Sequence, residues 1–68
     1  MSTIMERVAG NVKRLRTERG LSQQALADKA KIHRVYLAYI ETGSRAPSLE
    51  ILERLAKALK VKAAKLVE

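Results

Sequence analysis

The side chains best suited to recognising another molecule lie close together, between positions 33 and 39. This stretch holds the chain's only histidine, His33, its only two aromatic residues, Tyr36 and Tyr39, and an arginine, Arg34. A guanidinium group can donate two parallel hydrogen bonds to the O6 and N7 atoms of a guanine base. In a chain with a formal net charge of +7, this grouping on one predicted helix indicates an element that reads DNA.

Catalysis and metal binding have no comparable support in the sequence. The chain has no cysteine, so disulfides and thiolate metal sites are excluded, and there is no second histidine to share a metal ion with His33. No nucleophile accompanies His33 on its helix, and the serines fall at predicted helix starts and in loops. We therefore predict no catalytic residue, no metal, no cofactor and no small-molecule ligand, and we predict that the chain is not an enzyme.

The balance of charges points to a polyanionic partner. Fourteen Lys and Arg residues stand against seven Asp and Glu residues, and the isoelectric point is about 10.3. A solvated, lysine-rich surface is the plainer interpretation, and it is the one we predict for Lys57, Lys60, Lys62 and Lys65. Binding to an acidic membrane would need a broad exposed apolar helix face, but the predicted helices use their apolar faces in a bundle.

Location is predicted from what the sequence lacks. The longest apolar run, residues 35–40, is far too short to span a bilayer. No charged start followed by an apolar block marks a signal peptide. Together with the absence of cysteine, these features favour the cytoplasm.

A small helical bundle must position the recognition residues. The length allows one domain over residues 1–68, which we predict to be all-α, compact and free of strands. Ser22 and Ser48 are good N-caps, Gly20 stands where a helix ends with a positive φ, and Gly43 ends the third helix. These signals and the apolar spacing predict five helices, at roughly Ile4–Arg19, Gln23–Ala30, His33–Thr42, Leu49–Leu59 and Lys62–Val67.

The predicted core contains only small and medium-sized apolar side chains, with Tyr36 as an alternative to Leu37. Three- and four-residue spacing selects Met5, Val8, Ala9, Val12, Leu15, Leu26, Ala27, Ala30, Ile32, Leu37, Ile40, Leu49, Leu52, Leu55, Ala56, Leu59, Val61 and Leu66. A core of this size without Phe or Trp gives marginal stability, so association with a second copy is expected.

A second apolar stripe on the fourth helix is the candidate surface for that association. It comprises Ile51, Leu55 and Ala58, and Leu55 is shared with the core stripe. With Val67, these residues form the predicted homodimer interface. The alternative is that Ile51 packs beneath the loop that carries Arg45, and that the protein dimerises only on DNA.

The order of motifs resembles the lambda-repressor-like helix-turn-helix family, also called the Xre or Cro/C1 type. The resemblance covers about Val12 to Leu66, with the helix-turn-helix at about 22–42. It rests on G-L-S-Q, I-E-T-G-S-R-A-P-S-L and L-A-K-A-L at these spacings. The sequence H-R-V-Y at the start of the third helix resembles the small controller proteins of restriction-modification systems. Lys31 departs from the glycine that is usual between the second and third helices, and His33 from the usual Ser or Thr cap.

The resemblance implies roles for individual residues. Helix 3 would enter the major groove and present Arg34, Val35, Ala38 and Tyr39 to the bases, with His33 at the margin. Phosphate contacts would come from Gln23, Tyr36, Ser44 and Arg45. Arg16 and Glu41 would form a structural ion pair between the first helix and the end of the third.

Two classes of function follow. The leading prediction is a sequence-specific regulator that binds double-stranded DNA as a homodimer, represses or activates transcription, and can contact RNA polymerase. The alternative is a protein-interaction module on the same fold, such as an antitoxin that neutralises a toxin. That alternative would need a free apolar groove or tail.

Overall fold

The computed structural model describes residues 3–68, which form five α-helices and no strand. The helices are α1 (Ile4–Glu18), α2 (Gln23–Ala30), α3 (Arg34–Glu41), α4 (Leu49–Ala58) and α5 (Ala63–Leu66). The predicted fold class and helix order are confirmed, and the bounds of α2 agree with the prediction. The other helices end one residue inside the predicted limits at one or both ends, because the terminal residues act as caps.

Hydroxyl side chains fix where α1, α2 and α4 begin. Thr3 caps α1 in a capping box: the Thr3 hydroxyl accepts from the Glu6 N–H, and the Glu6 carboxylate accepts from the Thr3 N–H. Ser22 accepts from the Ala25 N–H at 3.0 Å, and Ser48 accepts from the Ile51 N–H at 3.2 Å. These bonds satisfy amides that have no partner within the helix.

Four residues of the described chain adopt the left-handed conformation, each at a helix end. Gly20 has a φ value of 68°, as the sequence predicted, and Gly43 has a φ value of 76°. Lys31 and Lys60 have φ values of 59° and 60° although they carry side chains. A non-glycine residue in this region costs about 1 kcal/mol or more, so two lysines occupy positions where glycine would be less strained.

The core lies where α1 packs on α3 and α5, and α2 on α3 and α4. Its most completely buried side chains are Val12, Leu26, Leu37, Ile40, Leu55, Leu59 and Leu66. This packing fixes the position of α3 against the rest of the domain. No helix within residues 3–68 combines the length and the apolar character needed to cross a membrane.

Two predictions for α4 are wrong. Leu49 was expected in the core, but 72% of it is exposed, because it lies in the first turn, before the stretch of α4 that packs on its neighbours. Leu55 was expected to be shared with a dimer interface, but it is 0% exposed. The core covers Leu55 completely, so this side chain cannot contact a second copy of the folded domain.

Candidate nucleic-acid interface

One face of α3 is packed and the other is open. Leu37 and Ile40 are buried in the core, whereas Val35 and Tyr39 are 42% and 47% exposed. Residues four apart lie on the same side of a helix, so Val35 and Tyr39 are neighbours on the open face. This face projects an aliphatic and an aromatic side chain away from a rigid core, which is the arrangement a helix needs to enter a groove.

Arg34 and Ala38 lie beside this open face. Arg34 is exposed and has no ion pair or side-chain hydrogen bond with any residue of 3–68. Ala38 is half-buried and small. The guanidinium is therefore available to an outside acceptor without first breaking an internal contact.

His33 sets the start of α3. Its Nδ1 accepts a hydrogen bond from the Val35 N–H at 3.1 Å, so the imidazole acts as the N-cap that a Ser or Thr side chain usually provides. With Nδ1 as the acceptor, the proton of the neutral ring is on Nε2. The ring is thereby held at the entrance of α3, beside the exposed Val35.

The loop after α3 folds back onto the end of the recognition helix. The Ser44 and Arg45 N–H groups both donate to the Tyr39 carbonyl, at 2.9 and 3.3 Å. The Arg45 guanidinium lies 5.8 Å from the centroid of the Tyr39 ring, a cation–π distance. The Ser44 hydroxyl is 2.8 Å from that of Thr42. Arg45 and Tyr39 therefore present a positive charge and an aromatic ring together.

These side chains line a shallow groove of about 450 Å³, which we call the recognition groove. Its lining residues are His33, Val35, Tyr36, Tyr39 and Arg45. Tyr36 is half-buried with its ring against the core, so only part of it reaches the surface. The groove brings together five of the residues assigned to base or phosphate contacts, with Tyr36 at its wall.

A buried network anchors the far end of α3. Glu41 is only 9% exposed. Its carboxylate accepts from Arg16 Nε at 2.7 Å and Nη2 at 3.0 Å, and from Gln23 Nε2 at 3.2 Å. The Arg16 Nη1 also donates to the Leu21 carbonyl at 2.8 Å. The network therefore joins α1, α2 and α3 and fixes the angle between the two helices of the motif.

Gln23 has a structural contact that sequence reasoning missed. Its side-chain amide donates to Glu41 rather than standing free at the N-terminus of α2. The backbone N–H groups of Gln23 and Gln24 have no acceptor among residues 3–68. Such free amides at a helix start attract an anion, so the backbone of Gln23 is as suitable as its side chain for a phosphate.

The residues assigned to dimerisation differ in their exposure and in the grooves that they line. Besides the buried Leu55, Ala58 lines a basic groove between α2 and α4, and Val67 lines a small apolar groove beside Met5. Ile51 is half-buried on α4 and lines neither groove. Ile51, Ala58 and Val67 are all half-buried, so each keeps some exposed surface for a contact with a second copy.

Comparisons with known proteins agree with this geometry. A family model described as helix-turn-helix, HTH_3, matches residues 12–66. The control protein C.SmaI of Serratia marcescens is 39% identical over 64 residues, which are 94% of this chain and 76% of that protein. The immunity repressor of Bacillus phage phi105 is 43% identical over 60 residues; the match spans 88% of this chain but 42% of the repressor.

A solved structure shows the same fold. The restriction-modification controller protein C.AhdI from Aeromonas hydrophila superimposes with a TM-score of 0.88 and 34% sequence identity. The superposition covers 91% of this chain and 94% of that one.

Proposed function

The chain belongs to the HTH_3 helix-turn-helix family of DNA-binding transcription regulators, which are not enzymes, and we propose that it binds a two-half-site operator as a homodimer. The observation that carries this proposal is the open face of α3, where Val35 and Tyr39 are exposed beside Arg34, which forms no ion pair with any residue of 3–68. A helix presented in this way fits the major groove of B-DNA, about 12 Å wide.

Each contact has a proposed task. Arg34 donates to guanine O6 and N7, and Val35 and Ala38 contact thymine methyl groups. His33 and Tyr39 lie at the edges of this contact. Arg45, stacked near Tyr39 at 5.8 Å, holds a phosphate and fixes the register of α3, as backbone contacts do in protein–DNA complexes.

Further phosphate contacts flank the recognition helix. The free amides at the start of α2, with Gln23, bind one phosphate. The hydroxyls of Ser44 and Tyr36 bind the strand that Arg45 holds. These contacts contribute affinity for any sequence, while the α3 contacts contribute discrimination.

Two copies would place their α3 helices in successive major grooves, about 34 Å apart on one face of the duplex. We propose that Ile51 contributes to the contact between the copies. The similarity to C.SmaI and C.AhdI, which are named controllers, supports a controller-type role. In that role the cytoplasmic protein represses transcription by blocking RNA polymerase or activates it by contacting the enzyme.

Salt dependence of DNA binding tests the proposal. If a dimer neutralises about six to ten phosphates, the slope of log K against log salt concentration is about −5 to −9. Fluorescence anisotropy with a labelled duplex measures this slope. A flat response, or no binding at low salt, would contradict the proposal.

A further inference from the structure

A second positively charged surface lies outside the recognition groove. It is a groove of about 570 Å³ where the C-terminal ends of α2 and α4 approach each other. We call it the cationic groove; its charged lining residues are Lys29, Lys31, Arg54, Lys57 and Lys60. It shares no lining residue with the recognition groove, and no residue of α3 lines it.

The charges of the cationic groove are largely uncompensated. None of its four lysines forms an ion pair with a residue of 3–68. Only Arg54 has an acidic partner, Glu50 at 2.8 Å, on the exposed side of α4. Four like charges around one groove repel one another, and an anionic ligand would relieve that repulsion.

Helix dipoles explain part of this arrangement but not all of it. A lysine in the last turn of a helix interacts favourably with the helix dipole, which accounts for Lys29 and Lys57. Lys31 and Lys60, however, occupy left-handed positions with φ near 60°. The two other left-handed positions carry Gly20 and Gly43, and neither glycine lines the cationic groove. Lysine thus replaces glycine only at the two left-handed positions that face this groove.

The shape and lining of the groove identify the kind of ligand. The half-buried Ala58 and the nearly buried Ala30, which is 2% exposed, also line the groove and give it a small apolar floor. A duplex is convex and rigid, so its phosphates would contact the rim and leave this floor empty. Single-stranded nucleic acid is bound through aromatic side chains on which bases stack, but both tyrosines of the chain lie on α3.

We infer that the cationic groove binds an acidic peptide segment of a partner protein, with carboxylates on the lysines and small apolar side chains on the alanine floor. The groove and the recognition groove have separate linings, so a DNA-bound molecule can hold this segment at the same time. This inference does not rest on the proposed DNA contacts.

The inference is tested with a variant that removes charge from the cationic groove without destabilising the fold. The probe is a fluorescein-labelled peptide of repeated Asp-Glu-Leu units, titrated by anisotropy at about 0.15 M ionic strength. Lys31→Gly with Lys60→Gly removes two groove charges and relieves two left-handed lysines. We expect this variant to bind the peptide about tenfold more weakly and to unfold at a higher temperature.

A matched control loses the same net charge elsewhere. Lys13 and Lys62 are exposed and do not line the groove, so Lys13→Gln with Lys62→Gln is expected to bind the peptide almost as well as wild type. Lys31→Gln with Lys60→Gln, which keeps the backbone strain, is expected to bind as weakly as the glycine variant. Duplex DNA affinity of each variant is measured in parallel.

Several outcomes would overturn the inference. They are no peptide binding by the wild type, equal weakening in the groove and control variants, or no weakening in either. A groove variant that loses duplex affinity but keeps peptide affinity would assign the groove to DNA instead. Arg34→Ala is expected to weaken duplex binding and leave peptide affinity unchanged, and an equal loss of both would also overturn the inference.

Discussion

Arg16 and Glu41 form the one ion pair of residues 3–68 in which both side chains are shielded from water. Their side chains are 14% and 2% exposed, and two hydrogen bonds join them, at 2.7 and 3.0 Å. The pair connects α1 to the last residue of α3. The orientation of the recognition helix therefore depends on a charge pair that lies outside the recognition groove.

Replacing Arg16 alone should lower the stability of the domain substantially. Arg16→Met leaves the Glu41 carboxylate buried with only Gln23 as a donor, and we expect the free energy of unfolding to fall by about 3 kcal/mol. Urea unfolding followed by circular dichroism measures the loss. Arg14→Met, which removes the exposed pair with Glu18, is the control and should cost about 1 kcal/mol or less.

The companion variant Arg16→Met with Glu41→Leu should recover most of that stability, because no buried charge remains unpaired. If the double variant is as unstable as Arg16→Met, the loss of stability comes from lost packing and not from the unpaired, buried Glu41 carboxylate.

The imidazole of His33 should stabilise α3 through its cap. His33→Ala removes the acceptor for the Val35 N–H and is expected to lower the free energy of unfolding by about 1 kcal/mol. His33→Ser restores an acceptor and should be close to wild type in stability. If alanine and serine at this position unfold at the same denaturant concentration, the cap contributes nothing measurable.

Specificity and general affinity should be separable at Arg34 and Arg45. Arg34→Ala should cost about 1–3 kcal/mol at the preferred duplex and reduce discrimination at one base pair. Arg45→Ala should weaken binding to all duplexes by a similar factor. Affinities for a preferred and a scrambled duplex give both quantities, and an Arg34→Ala variant that weakens both duplexes equally would remove the base-reading assignment.

Substitutions at Ile51 and Leu55 of α4 should show which of the two side chains lies at the dimer interface and which lies in the core. Ile51→Glu is expected to give a folded monomer, because Ile51 is only half-buried. Leu55→Glu places a charge at a position with 0% exposure and should unfold the domain. Sedimentation and circular dichroism measure the two effects. A folded dimer of Ile51→Glu would exclude Ile51 from the interface, and an unfolded chain would place it in the core.

Local signals made much of the fold predictable. Ser22 and Ser48 mark the starts of α2 and α4 and do accept the expected backbone bonds. Gly20 and Gly43 mark helix ends and do have positive φ. These features depend on a few neighbouring residues, so a sequence pattern is enough to identify them.

The features that the sequence did not predict depend on how the helices pack against one another. α4 has two overlapping apolar stripes, and its periodicity does not reveal which positions other helices cover; hence Leu49 is exposed and Leu55 is buried. The contact between Gln23 and Glu41 joins residues 18 apart. The cationic groove joins residues 29–31 to residues 54–60, whereas the sequence suggested only a solvated face for Lys57 and Lys60.

Selection of bound sequences from a pool of random duplexes tests the central claim most directly. The wild-type protein should enrich an inverted repeat with half-site centres about 34 Å apart, one helical turn. Substitution of Arg34 should change the selected base at one position of each half-site. Recovery of sequences with no common motif, despite binding, would contradict sequence-specific recognition by α3.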